Sequence, residues 1–134
     1  MLTFSLPSKK ESAKVGSKKI LSFLKDFQID KKLLFNIRLC CEEAIINAVK
    51  HGNQSKESLS VEVALKKEKD RIQISVKDQG PGFNFAAIPN PTSEDNLVKL
   101  SGRGIYLIRQ LMDEVNYADG GSRITMIKNL EKKQ

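Results

Sequence analysis

EEAIINAVKHGN, residues 42–53, reads as a helix: good helix formers, an apolar stripe and Gly52 at its end. Glu43 and Asn47 lie four residues apart, so they share one face, about 6 Å apart along the axis. That face is not plainly wet, since Leu39 precedes Glu43 by one turn and Ile46 lies beside it. A carboxylate and a carboxamide thus sit among hydrophobes on a helix that is apolar nearly all round. Two explanations stand: a polar i,i+4 pair on a partly exposed face, or a site.

The pattern extends in both directions. Asp30 is a fair N-cap for this helix, and Leu33, Leu34, Ile37, Cys41, Ala44, Ile45 and Ala48 form its broad apolar face. His51 in the last turn and Gly52 after it are stop signals. Upstream, Thr3-Phe4-Ser5-Leu6 alternates until Pro7, which predicts a short first strand. Ser8 or Ser12 is a candidate cap for a helix carrying Val15, Ile20, Leu21, Leu24 and Phe27 at helical spacing. Downstream, Leu59, Val61, Val63 and Leu65 alternate with polar residues, and so do Ile72, Ile74 and Val76. The charged stretch 66–70 between them predicts a turn and an antiparallel hairpin. DQGPGF follows at 78–83. Residues 84–101 are polar, contain Pro89 and Pro91 and lack periodicity, which suits either a functional lid or a disordered segment. SGRG opens a third helix with Ile105, Leu107, Ile108, Leu111 and Met112. Asp119-Gly120-Gly121 is a turn, Ile124, Met126 and Ile127 mark a last strand, and LEKKQ is a frayed tail. There are no repeats and no linker, so residues 1–134 are expected to form a single domain.

Composition narrows the class. The chain has 134 residues, 40% hydrophobic and 29% charged, which suits a soluble domain with one core. No apolar run approaches the roughly 20 residues that cross a bilayer. The N-terminus lacks the apolar segment of a signal peptide, so the expected compartment is the cytoplasm. Cys40 and Cys41 are adjacent in a helix, which suits packing better than a disulfide, and the single His51 cannot complete a zinc set with them. The net charge is +7, with lysines clustered at 9, 10, 14, 18 and 19 and at 66, 67 and 69. That charge suits a solvated surface or an acidic protein partner. Aromatics are only 6% and no nucleic-acid signature accompanies the lysines, so direct nucleic-acid binding is not expected.

The glycines carry the chemistry. Gly80 and Gly82 follow a strand and travel with Asp78, while Gly102 and Gly104 open a helix, where free N–H groups and the dipole favour an anion. Either pair alone is an ordinary turn or helix start. Together, joined by a polar segment, they suit a covered phosphate ligand. GxxxxGK[ST] is absent and neither pair extends to GxGxxG, which excludes a P-loop and a Rossmann site.

These residues resemble the GHKL (Bergerat-fold) ATPases. Glu43 and Asn47 look like the N box, E-x-x-x-N. Asp78, Gly80 and Gly82 look like the first glycine box, D-x-G-x-G, and Gly102 and Gly104 like the second, G-x-G. Within that superfamily the chain is most similar to the small stand-alone serine kinases that act as bacterial anti-sigma factors, from FSLPS at the N-terminus through GRGIYLI and LMDEV. The resemblance implies an α+β fold: a two-layer sandwich with a mixed, mostly antiparallel sheet covered on one face by helices. It implies ATP and Mg²⁺ as ligands, with Asn47 holding the metal and Glu43 as general base on the attacking hydroxyl. Asp78 would receive the adenine amino group. Gly80, Gly82, Gly102, Arg103, Gly104 and Ile105 would complete the ATP site, with Arg103 near the γ-phosphoryl.

The implied function is serine/threonine phosphorylation of a small anti-sigma antagonist, coupled to sequestration of a sigma factor, by a homodimer paired through residues 1–27. The alternatives are a nucleotide-dependent docking module without kinase activity and a kinase that regulates something other than sigma. One departure stands out. Relatives commonly carry Gly-Thr-Thr before the last strand, where this chain has Gly121-Ser122-Arg123. His51 is read as a helix-end cation rather than a phospho-acceptor.

Overall fold

Hydrophobic alternation decides how the sheet is assembled. The structure is a computed structural model and describes residues 1–81 and 104–130. Its strands are β1 (Leu2–Pro7), β2 (Ser60–Lys67), β3 (Arg71–Lys77), β4 (Glu114–Ala118) and β5 (Arg123–Asn129), ordered β1-β2-β3-β5-β4. Register aligns whole rows of apolar residues from edge to edge. One row is Leu2, Leu65, Ile74, Met126 and Val115, and the next is Phe4, Val63, Val76, Ile124 and Tyr117. Side chains alternate between faces, so these rows share one face. The other face carries Thr3, Ser5, Glu62, Ser75, Lys77 and Arg123 around a surface depression.

Among the described residues three helices cover the apolar face: α1 (Ser12–Leu24), α2 (Lys31–Asn47) and α3 (Gly104–Leu111). Ile20, Leu24, Ile37, Ile45 and Ile108 are fully buried against the central strands. Each such side chain contributes about 1.5–3 kcal/mol. α2 packs against both α1 and α3. Cys40 and Cys41 are unpaired and buried in this layer. Burial pushes the Cys40 thiol up to about 12, and it raises the Cys41 thiol as well. Both are therefore inert packing groups, as their adjacency suggested.

Among the described residues every strand pairing is antiparallel. The mixed sheet expected from the resemblance narrows to this for a topological reason. Two helices separate β1 from β2, and an even number of helices returns the chain in the opposite direction. β3 and β4 do run parallel, but β5 is inserted between them.

Local signals mostly hold. The Asp30 carboxylate accepts the Lys32 N–H at 3.0 Å and caps α2. The hairpin turn is shorter than expected, because β2 continues through Lys67 and Glu68 N–H already bonds Arg71 O at 2.8 Å. Neither Ser8 nor Ser12 caps α1. Ser12 Oγ donates to Pro7 O and Ser8 Oγ to Leu59 O, while Glu11 occupies the N-cap without a side-chain bond. α1 stops at Leu24, short of Phe27, which the Phe27 N–H to Leu24 O bond turns outward over Phe23. β4 was not foreseen.

Candidate functional site

The helix that opened the question ends in a π-helical turn, Ala48–Gly52, closed by Asn53 N–H to Ala48 O at 2.8 Å. Single π turns widen a helix end and are frequent at functional sites. Here the turn sets Gly52 directly against the segment that follows β3. A Cβ on Gly52 would overlap the Asp78 carboxylate, and one on Gly80 would overlap the Gly52 carbonyl. Gly52 needs glycine because the Asp78 side chain lies against it, and Gly80 because the Gly52 backbone does.

Asp78 stands where the next apolar row would continue. Strand alternation from Ile74 and Val76 puts it on the helix-covered face, and its N–H bonds the Ser122 carbonyl at 2.9 Å. It is 7% exposed. Its Oδ1 accepts the Gly80 N–H at 2.8 Å, and its Oδ2 takes no hydrogen bond from a described residue. Burial pushes the carboxyl above its ordinary value, while the Gly80 N–H and the Lys77 charge pull it back. A buried carboxylate with one oxygen that no described residue engages is a ready acceptor for a neutral N–H donor.

Glu43 and Asn47 are half-buried on one flank of α2, and neither side chain hydrogen-bonds or ion-pairs with a described residue. From Glu43 to Gly52 the helix covers roughly 13 Å. A carboxylate, a carboxamide and the Asp78 corner therefore follow one another along a single axis. Glu42, though adjacent, is used otherwise: it accepts Ser17 Oγ at 2.8 Å and pairs with Arg38 at 3.3 Å.

Of the other expected site residues, Gly104 begins α3 and Ile105 lies in its first turn. Gly82, Gly102, Arg103 and the lid at 84–101 lie outside the described residues. Ser122 Oγ is held by the Asp119 carbonyl at 3.0 Å. Arg123 pairs with Asp119 and lines the open face of the sheet, away from Asp78. His51 is exposed at the end of the π turn.

Sequence reasoning missed Asn53. It is 1% exposed and its amide saturates itself: Nδ2 donates to Ser8 Oγ and to Ser60 O, and Oδ1 accepts the Gln79 N–H. Those partners are 45, 7 and 26 residues away in sequence, so no local pattern announces them.

Comparison with protein families matches residues 6–128 to the histidine kinase-like ATPase domain. The serine-protein kinase RsbW of Listeria innocua is 27% identical, the match covering 99% of this chain and 89% of the relative. The enzyme of the same name from Staphylococcus epidermidis is 32% identical over 105 residues, 72% of this chain and 66% of the relative. Among solved structures, the RsbU and RsbW domains of a Mycobacterium tuberculosis protein share the fold, with TM-score 0.60 and 17% identity over 96% of this chain and 32% of that one. So does the histidine kinase domain of a blue-light activated kinase from Erythrobacter litoralis, with TM-score 0.58 and 18% identity over 92% of this chain and 61% of that one. The chain belongs to the histidine kinase-like ATPase domain family and is of its protein-kinase type.

Proposed function

We propose that this protein transfers the γ-phosphoryl group of ATP to a serine or threonine of a small antagonist protein, and that it sequesters a sigma factor when the antagonist is absent or phosphorylated. The observation that carries the reading is the unpartnered pair Glu43 and Asn47, half-buried and in line with Asp78. Groups so placed reach solvent and serve no described residue, which leaves them available to a ligand.

The residues fit the ligands. No described residue hydrogen-bonds Asp78 Oδ2, which leaves it to accept the adenine amino group, and the missing Cβ atoms at Gly52 and Gly80 let the two segments close around Asp78. Asn47 offers one carboxamide oxygen, which suits a cation that keeps several waters. Bound Mg²⁺ would supply charge neutralisation at the phosphates. Gly80 and Gly82 extend the adenine side, and Gly102, Arg103, Gly104 and Ile105 give backbone N–H groups and a cation to the phosphates. Glu43 takes the proton from the attacking hydroxyl. The hydroxyl oxygen then bonds the γ-phosphorus, and the β–γ bridging oxygen leaves with ADP.

The partner reading rests on the N-terminal region. β1 is an edge strand, and an exposed edge is normally covered or paired. A second copy of the chain covers it in this proposal, and the lysines at 9, 10, 14, 18 and 19 face an acidic partner in the cytoplasm, where ATP is available. That attraction weakens as salt rises. Purification from the native cell, followed by incubation of the captured proteins with γ-labelled ATP, tests the whole. Label on a small captured protein together with a sigma factor in the eluate supports it. Capture without label would leave a nucleotide-dependent docking module, and label without a sigma factor a kinase of another pathway.

A further inference from the structure

We infer that Asn53 is a positioning residue for base selection: it fixes the segment Gln79–Gly80 so that the Asp78 carboxylate is aimed at an adenine rather than a guanine edge. The inference rests on the reading of Asp78 as the adenine acceptor.

Asp78 cannot hold its own orientation. Among the described residues the one bond to its carboxylate comes from the Gly80 N–H, two residues on, so the orientation of the carboxylate depends on the backbone of Gln79 and Gly80. Two bonds fix that backbone. Asn53 Oδ1 accepts the Gln79 N–H at 2.7 Å, and the Gln79 side chain accepts the Ser60 N–H at 2.6 Å. The second lies at an exposed position and competes with water, whereas Asn53 is buried. Asn53 is itself held on its donor side by Ser8 Oγ at 2.8 Å and Ser60 O at 3.0 Å, which sets which amide atom faces Gln79. Its Oδ1 therefore stands as a fixed acceptor one residue from Asp78. The close contact of Gly80 with the Gly52 carbonyl completes the seat. An adenine presents an amino donor to the Asp78 carboxylate, and a guanine presents a carbonyl oxygen there, which the carboxylate repels. Discrimination falls off when the carboxylate is free to turn away.

Calorimetric titration with Mg–ATP and with Mg–GTP tests this on wild type, Asn53→Ala, Ser8→Ala and Asp78→Asn, well below each thermal midpoint. Asn53→Ala is expected to weaken ATP about tenfold and to leave GTP nearly unchanged, so the preference for ATP shrinks by that factor. Ser8→Ala removes a buried hydroxyl from the same network but leaves the Asn53–Gln79 bond. It should lower the thermal midpoint and keep the wild-type preference. If Asn53→Ala does not fold, Asn53→Ser, too short to reach both sides, carries the same expectation. A folded Asn53 variant with wild-type preference overturns the inference, and so does an equal loss in Ser8→Ala, which would mark a general loosening. Asp78→Asn separates the two levels. Wild-type preference in that variant removes the adenine reading and this inference with it; lost preference there, with preference kept in Asn53→Ala, removes the inference alone.

Discussion

Two flanks of α2 treat neighbouring glutamates in opposite ways. Toward α1, Glu42 accepts Ser17 Oγ and pairs with Arg38, so its charge is answered inside the protein. About 100° round the helix, Glu43 and Asn47 are half-buried and answered by no described residue. The same residue type thus serves the fold on one flank and is held open on the other. A polar group bonded within the protein is part of the architecture, and a half-buried one that no described residue engages is left available to a ligand.

The sharpest way to break this contrast is Glu43→Gln. Its phosphoryl transfer should fall by about 10² to 10⁴ because the general base is lost. ATP affinity and thermal midpoint should stay near wild type, since no described group depends on the carboxylate. Single-turnover transfer and calorimetry on the same sample check both halves, and a normal transfer rate removes Glu43 from the chemistry.

Asp78→Asn comes next. One charge-assisted acceptor is worth about 1.5–3 kcal/mol, so ATP should bind roughly 10- to 100-fold more weakly. Stability should move the other way. Burial raises the Asp78 carboxyl above its unfolded value, so ionisation costs the folded state. At neutral pH the variant should melt at or above the wild-type temperature. The wild type should gain on it as pH falls through the raised folded value and level off below the ordinary carboxylate range. Thermal melts across pH 3–8, on the order of that range, test the sign. A wild-type protein that loses ground to the variant on acidification would refute it.

How the sequence carried this site can be judged from particular residues. Asp30 and the turn at Asp119–Gly121 were legible because each acts within a few residues of itself. The apolar rows were legible because alternation is a local rule. β4 was not, because in Glu114–Ala118 only Val115 and Tyr117 are large and apolar, and Leu111 and Met112 extend the helical pattern up to its start. Glu43 and Asn47 stood out as polar residues in apolar company, and Asp78 through its spacing to Gly80 and Gly82 after a strand, which are themselves sequence signals. Asn53 did not, since its meaning lies in Ser8, Ser60 and Gln79, which only the fold brings to it.

The α1-facing flank gives the reverse expectation. Glu42→Ala should cost about 1 kcal/mol through the lost Ser17 and Arg38 contacts, with phosphoryl transfer unchanged. Urea melts and the transfer assay together check it. A rate loss like that of Glu43→Gln would erase the distinction between the flanks. The smallest effect is expected furthest from the site: Asp30→Ala should remove about 0.5–1 kcal/mol of capping at the start of α2 and leave the Kd for ATP untouched.

The place of β5 has a consequence for how the protein comes into being. β5 is synthesised after the other four strands, yet it lies inside the sheet, between β3 and β4. The Ser122 carbonyl that holds the Asp78 N–H immediately precedes it. A nascent chain can form the β2–β3 hairpin early, because those strands are neighbours in sequence. It cannot close the Asp78 corner until residues 122–129 have left the ribosome. The Asp78 corner is therefore completed only once β5 is available, and a chain cut short before β5 loses an inner strand of its sheet rather than a fraying end.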